Sequence, residues 1–546
     1  MKALGCALGV LVIALGSGGC AHVTNSPLSG FDPSAQTSYR FAPRADKETL
    51  LVVTLSGGGT RAAALAFGTL QTLRALPAAR DAYDRRSTTL LDQVDIVSSV
   101  SGGSVTAGWY ALKGPEGLVD SDVDGTDNGR LWKFLTTKLT GRLAWEVLNP
   151  GALGRYAVTS YERNDVLADF FAQRLFDRIT YAEILTRYKE HANQPYVILN
   201  ATDLGHEAIF PFTQGRFDLL CSDLQTYRLA DAVAASANYP LAFSPLGLKN
   251  YSGCAAQRSA AWSEEGPPQY LEYYRNFATA SGPALHSYAL NEIRTVRLAE
   301  DYLQSEPDAV RDPYVHLLDG GVTDNLGVRS TLALEDDPAR VPSLYLRLGL
   351  RLRPDGYQNI RRVLYVVVNA RTHNPGPIDR RVRPPGELAS ALRMIDTQLD
   401  SSTLADQDYL IAELEAMAGR IHERSAAAVA PIVDCRGGMN AVTPPFVSCK
   451  PEAQARLPAP DGPLRFYVAS VDFEMIPDKA CRDTAWLLPT NWGLEKRQVR
   501  GLTAVARALL ARSPDLAEFY RDTNGVRLED LFGTPPSLDE ACALLR

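Results

Sequence analysis

Seven consecutive residues, Thr49-Leu50-Leu51-Val52-Val53-Thr54-Leu55, form an apolar, β-branched run closed by glycines, which reads as a buried strand. From Ala62 to Leu73 the pattern changes to good helix formers, with Leu65, Leu70 and Leu73 near helical spacing, so a β-turn-α unit is predicted. The order recurs at Val94-Asp95-Ile96-Val97-Ser98-Ser99-Val100, a turn at Ser101-Gly102-Gly103, and a continuation to Tyr110. Further strands are expected at Tyr196–Asn200, Leu364–Asn369 and Phe466–Val471. Two β-turn-α units argue for an α/β fold with a mostly parallel sheet covered by helices, and the spread of the strands favours one large sheet. Between Gly386 and Ile421, Leu388, Leu392, Ile395 and Leu399, then Leu410, Leu414, Met417 and Ile421, step by four, three and four, predicting amphipathic helices with a core-facing stripe. A closing helix is expected from Glu495 to Ala511, and no repeat marks a solenoid or propeller.

Composition adds limits. The 546 residues are 45% hydrophobic and 22% charged, as in an ordinary globular protein, and could fill more than one average domain. A net charge of -7 without a Lys/Arg run leaves no footprint for nucleic acid.

The N-terminus differs from the rest. Lys2 precedes an apolar run from Ala3 to Leu15, then Gly16-Ser17-Gly18-Gly19-Cys20, which reads as an export signal too short to span a bilayer. Small residues before Cys20 resemble the cleavage site of bacterial lipoproteins, although Ser17 stands where leucine is usual. Cys20 would then carry the lipid anchor, and Ala21 after it suits transfer to the outer membrane, facing the periplasm; the alternative is plain cleavage into the periplasm or medium. Residues 1–20 are thus expected to be a leader and 21–47, polar and Pro-containing, a tether. Beyond Cys20 stand Cys221, Cys254, Cys435, Cys449, Cys481 and Cys542, an even set that suggests disulfides in an oxidising compartment. Nearest-neighbour pairing gives 221 with 254, 435 with 449 and 481 with 542, one of several possible connectivities.

Two glycine turns carry the candidate chemistry. Ser99-Val100-Ser101-Gly102-Gly103 has the form of a nucleophile elbow, where a tight strand-to-helix turn crowds the residues around the central serine; Ser99 stands where glycine is usual. Ser56-Gly57-Gly58-Gly59-Thr60-Arg61 lies at the other strand-to-helix turn, and three glycines leave backbone N–H groups free to meet an anion. As a dinucleotide fingerprint it would need an acid at the end of a second strand, and Pro77 to Arg86 is polar and strandless. As an oxyanion hole beside a serine elbow, Gly57, Gly58 and Gly59 make sense, with Arg61 orienting the loop, meeting a phosphate headgroup, or simply bracing.

The order of pieces resembles the patatin-like phospholipase family. Gly57-Gly58-Gly59-Thr60-Arg61 is similar to its oxyanion block, Ser99–Gly103 to its serine elbow, Ala235–Pro245 to its small-residue and Pro-x-x-Phe-x-Pro segment, and Leu318-Asp319-Gly320-Gly321 to its Asp-Gly-Gly block. Leu488-Pro489-Thr490 is a fainter echo. The resemblance implies a three-layer α/β fold, a catalytic core at 48–345, a C-terminal region at 346–546 completing the same domain, and a Ser-Asp dyad of Ser101 and Asp319. Asp324 and Asn325 are expected to brace the turn after Asp319. A histidine triad would need one of His191, His206, His286, His316, His373 or His422 near Ser101. The implied reaction is hydrolysis of fatty-acyl esters of membrane phospholipid or another acyl lipid through an acyl-enzyme, with no metal or organic cofactor. Tyr270, Tyr273, Tyr274 and Phe277, in the insertion between Leu246 and Val315, are read as a lid, a lipid-contacting surface or core packing. Two other readings stand beside this one: a short-chain esterase on the same framework, and a catalytically silent lipid-binding envelope lipoprotein.

Overall fold

The computed structural model describes residues 23–30, 38–41, 47–120, 129–251, 254, 298, 301–302, 313–333, 359–371, 385–426, 464–490, 492–533 and 537–546. Residues 1–22, the insertion aromatics Tyr270 to Phe277, and Cys435 and Cys449 lie outside these ranges, so the leader, the Cys20 anchor and the 435–449 pairing are not described.

β1 (Thr49–Leu55) leads through the glycine turn into α1 (Gly59–Ala75), and β2 (Val94–Val100) through the serine turn into α2 (Gly102–Lys113). Both strands are buried at every position, Thr49 and Thr54 of β1 and Ser98 and Ser99 of β2 included, as strands of a parallel sheet covered on both faces are. Asp95 is the exception in character, and Lys47 resolves it by donating to its carboxylate at 2.8 Å. The short helices α3 (Thr140–Leu148) and α4 (Pro150–Val158) follow, then α5 (Arg163–Phe171). β3 (Tyr196–Asp203) and β4 (Ala208–Pro211) precede α6 (Leu229–Ser236), β5 (Leu246–Lys249) and β6 (Tyr314–Asp319). Beyond the one-turn helix α7 (Gly321–Asp324) and α8 (Val328–Ala333) come β7 (Arg362–Asn369), the long α9 (Glu387–Ala426), β8 (Arg465–Asp472), α10 (Lys479–Trp486), α11 (Lys496–Leu510), α12 (Pro514–Asn524) and α13 (Leu538–Leu545).

The strands form one sheet in the order β5-β6-β3-β2-β1-β7-β8, with β4 also pairing β3. The run β3-β2-β1-β7-β8 is parallel, whereas β4 and β6 meet β3, and β5 meets β6, antiparallel. Neighbouring serines on β2 show that helices cover both faces: Ser98 Oγ meets Ser330 of α8, while Ser99 Oγ meets Ser104 of α2. This is the three-layer α/β architecture expected from the sequence. β7 and β8 put the C-terminal region into the same sheet as β1.

The expected closing helix is α11, burying Val499, Leu502, Val505, Ala506 and Leu509. It does not close the chain: α13 packs beside it, tied to α10 by the disulfide Cys481–Cys542. Cys221–Cys254 is also formed. α9 is one continuous helix whose buried side includes Leu410 and Leu414, but also Ser402, Thr403 and Asp406.

The stretch read as a tether is packed where it is described. Val23 bridges Gly247 at the β5 edge, and Asn25 bonds Ser222 Oγ at 3.0 Å and both backbone groups of Lys249 at 2.8 and 2.9 Å. Tyr39 is buried, with its hydroxyl exchanging hydrogen bonds with the Val197 backbone. A polar composition suggested a free leash; these polar groups instead find partners on the domain surface.

Candidate active site

β2 ends at Val100, and Ser101 turns the chain into α2 with φ 50° and ψ −116°. A non-glycine residue in this region costs of order 1–3 kcal/mol and persists only where its surroundings hold it. Here they do so through hydroxyls. The Ser101 N–H donates to Ser236 Oγ at 2.9 Å, and Ser236 Oγ donates to the Asn200 carbonyl at 2.6 Å. Ser104 Oγ lies 2.8 Å from Ser236 Oγ; since the Ser236 proton is already committed, Ser104 is the donor. Ser99 Oγ completes the ladder, 3.0 Å from Ser104 Oγ and 3.2 Å from the Ile198 carbonyl. The departure from glycine at position 99 is therefore accommodated: the serine is fully buried and its hydroxyl is one rung of the network.

Gly102 follows because the two glycine turns meet backbone to backbone. A Cβ on Gly102 would run into the carbonyl oxygen of Gly59.

Asp319 stands at the end of β6, brought to the elbow by the antiparallel pairing of β6 with β3. Ser101 Oγ donates to Asp319 Oδ2 at 2.8 Å, and the Gly321 N–H donates to Oδ1 at 2.9 Å. The aspartate backbone is fixed as well, its N–H donating to the Asn238 carbonyl at 3.0 Å and its carbonyl accepting from Thr202 Oγ1 at 2.9 Å. Only 4% of its surface is exposed. Burial raises its pKa to about 6, while the Gly321 amide and the Ser101 hydroxyl pull in the opposite direction. The group is thus ionised at neutral pH yet more basic than a free aspartate.

At the glycine turn, Gly58 and Gly59 have φ of 131° and 61°, values that favour glycine, and a Cβ on Gly59 would strike the Thr490 carbonyl. Their N–H groups have no acceptor among the described residues, as expected of the first turn of α1. Gly57 differs. Its N–H donates to the Asn325 carbonyl at 3.1 Å, so of the three glycines expected to offer amides to an anion only Gly58 and Gly59 keep theirs without an acceptor among the described residues. Three glycines in a row looked equivalent in sequence, but the first is bonded to the turn that follows Asp319.

Arg61 is 1% exposed, donating from Nε to the Ala370 carbonyl at 3.0 Å and from Nη1 to the Leu488 carbonyl at 2.6 Å. Burial pushes its pKa down, with the charge of Asp400 opposing. The headgroup alternative is therefore set aside in favour of loop orientation: the guanidinium ties the glycine turn to the end of β7 and to the 488–490 segment, the faint echo noted in the sequence. Asp324 accepts the N–H groups of Gly327, Val328 and Arg329, and Asn325 Nδ2 donates to Thr403 at 2.7 Å, so both brace the turn. Behind them Arg329 donates to Asp406 at 2.8 Å, and burial with the Asp324 charge pushes the Asp406 pKa up.

Among the described residues no histidine bonds Ser101 or Asp319. His191 and His316 are exposed, and His206 pairs with Asp203 at 2.7 Å. His286, His373 and His422 fall outside what is described at side-chain level. Ser236 and Asn200 were not singled out from the sequence. The available signal for Ser236 was one hydroxyl residue among alanines on a buried helix, since such a group needs a built partner.

The site therefore joins a hydroxyl on a strained turn, a buried carboxylate accepting from it, and two backbone donors at a helix N-terminus that are unpaired among the described residues. The family model for patatin-like phospholipase matches residues 53–332, just over half of the chain. A comparison with curated proteins finds no match. Among solved structures, human GIVD cytosolic phospholipase A2 is similar over 58% of this chain and 45% of its own, at 13% identity and a TM-score of 0.29. The chain thus spans under half the length of that protein.

Proposed function

Since the chain belongs to the patatin-like phospholipase family, a family of lipid acyl hydrolases, we propose that it cleaves fatty-acyl esters of membrane phospholipids or lysophospholipids through a Ser101-Asp319 dyad. The observation that carries this reading is the 2.8 Å hydrogen bond from Ser101 Oγ to Asp319 Oδ2 at the strained elbow.

Asp319 takes the Ser101 proton as Oγ attacks the ester carbonyl, and the amides of Gly58 and Gly59 meet the tetrahedral oxygen. Collapse of that intermediate breaks the ester bond, the departing alcohol takes the proton back from Asp319, and the acyl group stays on Ser101. Water then gives its proton to Asp319 and attacks the acyl-enzyme, and the fatty acid leaves as Ser101 regains a proton. The raised pKa of Asp319 supports the role of base, because a carboxylate of ordinary acidity accepts a serine proton poorly.

The chain is also proposed to be exported and anchored through a lipid on Cys20, on the periplasmic side of the outer membrane. The residues after Lys2 support this, and the disulfides Cys221–Cys254 and Cys481–Cys542 suit an oxidising compartment. Among the described residues no helix is long and apolar enough to cross a membrane.

Fatty-acid release from mixed phospholipid vesicles tests the mechanism. Ser101→Ala and Asp319→Asn, both folded, are expected to lose about four orders of magnitude in kcat. Activity surviving in Ser101→Ala would remove the dyad, and a folded but inactive wild type would favour the silent lipoprotein.

A further inference from the structure

The inner side of α3 is ordinary: Leu143 and Val147, continuing from Leu139, are buried against the domain. The outer side is not polar. Trp145 is 66% exposed and Leu148 62%, and Leu153 on α4 is 44% exposed. Arg142, Trp145 and Leu148 recur every three residues and so share one outward stripe. Large apolar side chains exposed singly are common on protein surfaces, but three within nine residues make a patch that calls for an occupant.

Charge identifies the occupant. Residues 130–163 hold Arg130, Lys133, Lys138, Arg142, Arg155 and Arg163 against only Glu146 and Glu162, and although Asp177 and Glu495 from outside this stretch pair with Arg130 and Lys138, a local excess of two positive charges remains in a chain of net charge -7. Glu146 is shared by Arg142 and Arg174, which leaves the sign of the face unchanged. Like charge disfavours a second copy meeting this face through a two-fold contact. Exposed tryptophan and leucine set among cations suit a layer with anionic headgroups above acyl chains.

Both ends of the α3–α4 pair connect to the rim of the Ser101–Asp319 site. The N–H groups of Leu139 and Thr140 donate to the Trp492 carbonyl at 2.9 and 3.0 Å, in the segment whose Thr490 carbonyl abuts Gly59. Arg163, just beyond α4, donates to the Leu241 carbonyl at 3.3 Å. Leu241 is itself 52% exposed and follows Ser236 by five residues.

We propose that α3 and α4 form the surface by which this protein docks on an anionic phospholipid bilayer, with Trp145, Leu148 and Leu153 entering the interface and the basic side chains meeting the headgroups. The proposal rests on the lipid hydrolase reading and names the surface that meets the substrate layer.

The test uses the full chain with Ser101→Ala and Cys20→Ala in every arm, so that neither turnover nor an N-terminal lipid contributes. Vesicles are phosphatidylglycerol or phosphatidylcholine with brominated acyl chains, and the Trp145 signal is the fluorescence difference from Trp145→Phe. Quenching of that signal is expected on phosphatidylglycerol. Partition should fall about tenfold or more in Trp145→Ser/Leu148→Ser/Leu153→Ser, and it should weaken with salt and on phosphatidylcholine. If the triple variant fails to fold, Arg142→Glu/Arg155→Glu serves instead, with a loss expected on phosphatidylglycerol alone. An unquenched Trp145, or a folded variant that partitions like its parent, would overturn the proposal. Because no arm turns over, failure of the hydrolase reading would leave these partition values unchanged and would show only in the vesicle-hydrolysis experiment.

Discussion

The two members of the proposed dyad come from opposite kinds of sheet. Ser101 rises from β2, flanked by parallel neighbours and buried at every position, whereas Asp319 ends β6, whose Tyr314 and His316 are exposed and whose partners are antiparallel. The parallel half is held by apolar burial on both faces. The antiparallel edge has short strands and relies on discrete ties: the Cys221–Cys254 disulfide, the Thr202 hydroxyl on the Asp319 carbonyl, and Asn238 behind the Asp319 amide. A serine can therefore be held in a strained turn by a rigid floor, while its carboxylate partner is positioned by contacts that can be removed one at a time.

The hardest way to break this contrast is to push the two halves apart at the turns. Gly102→Ala forces a methyl group into the Gly59 carbonyl, displacing the Gly58 and Gly59 amides from the elbow. A loss of about 10² to 10³ in kcat is expected, comparable to deleting an oxyanion donor, measured on vesicles with circular dichroism as the folding control. Next, Cys221→Ser/Cys254→Ser should lower stability by about 2–4 kcal/mol in denaturant titration. Activity is expected to fail at lower temperature than the core signal, because the edge loosens first.

Asp319→Asn sharpens the comparison by separating function from stability. The folded-state pKa of about 6 lies above the ordinary aspartate value of 3.8, so the folded state binds more protons than the unfolded one between these pH values. Wild-type stability from this group is full below about pH 4 and declines as pH rises through about 6. The carboxamide of the variant carries no charge to bury, so this inactive protein should gain up to about 3 kcal/mol over wild type at pH 8, and the gain should vanish at pH 4. In wild type, kcat/KM should fall below about pH 6 as the base is protonated. The smallest effect is expected of Ser236→Ala, which removes the acceptor of the Ser101 amide. A drop of about tenfold in kcat with little change in KM would mark it as a positioning residue, and an unchanged kcat would show that the elbow holds without its ladder.

The same contrast explains what was legible. β1 and β2 fall at the residues their runs indicated, and β3, β7 and β8 extend the expected runs by one to three residues, because strands covered on both faces, as all of these but the edge strand β8 are, need a largely apolar sequence. β4 and β5, at four residues each, and β6, exposed at two of its six residues, carry too weak a pattern to stand out. Asp319 was accessible through its neighbouring glycines, not through periodicity. On α9 the apolar spacing located Leu410 and Leu414 but passed over Ser402, Thr403 and Asp406, which are buried because they meet the Asn325 and Arg329 side of the site. Polar residues at buried positions are recognised only when their partners are known, and the Ser99-Ser104-Ser236 ladder escaped notice for the same reason.

The packed N-terminal strap also bears on geometry at the envelope. Val23 is already fixed on the β5 edge three residues after Cys20, so a lipid on that cysteine would have a leash of roughly 10 Å. The domain would ride as a moored hull with a restricted angle of approach, its reach along the bilayer set by lateral diffusion of the anchor and not by the sweep of a long cable.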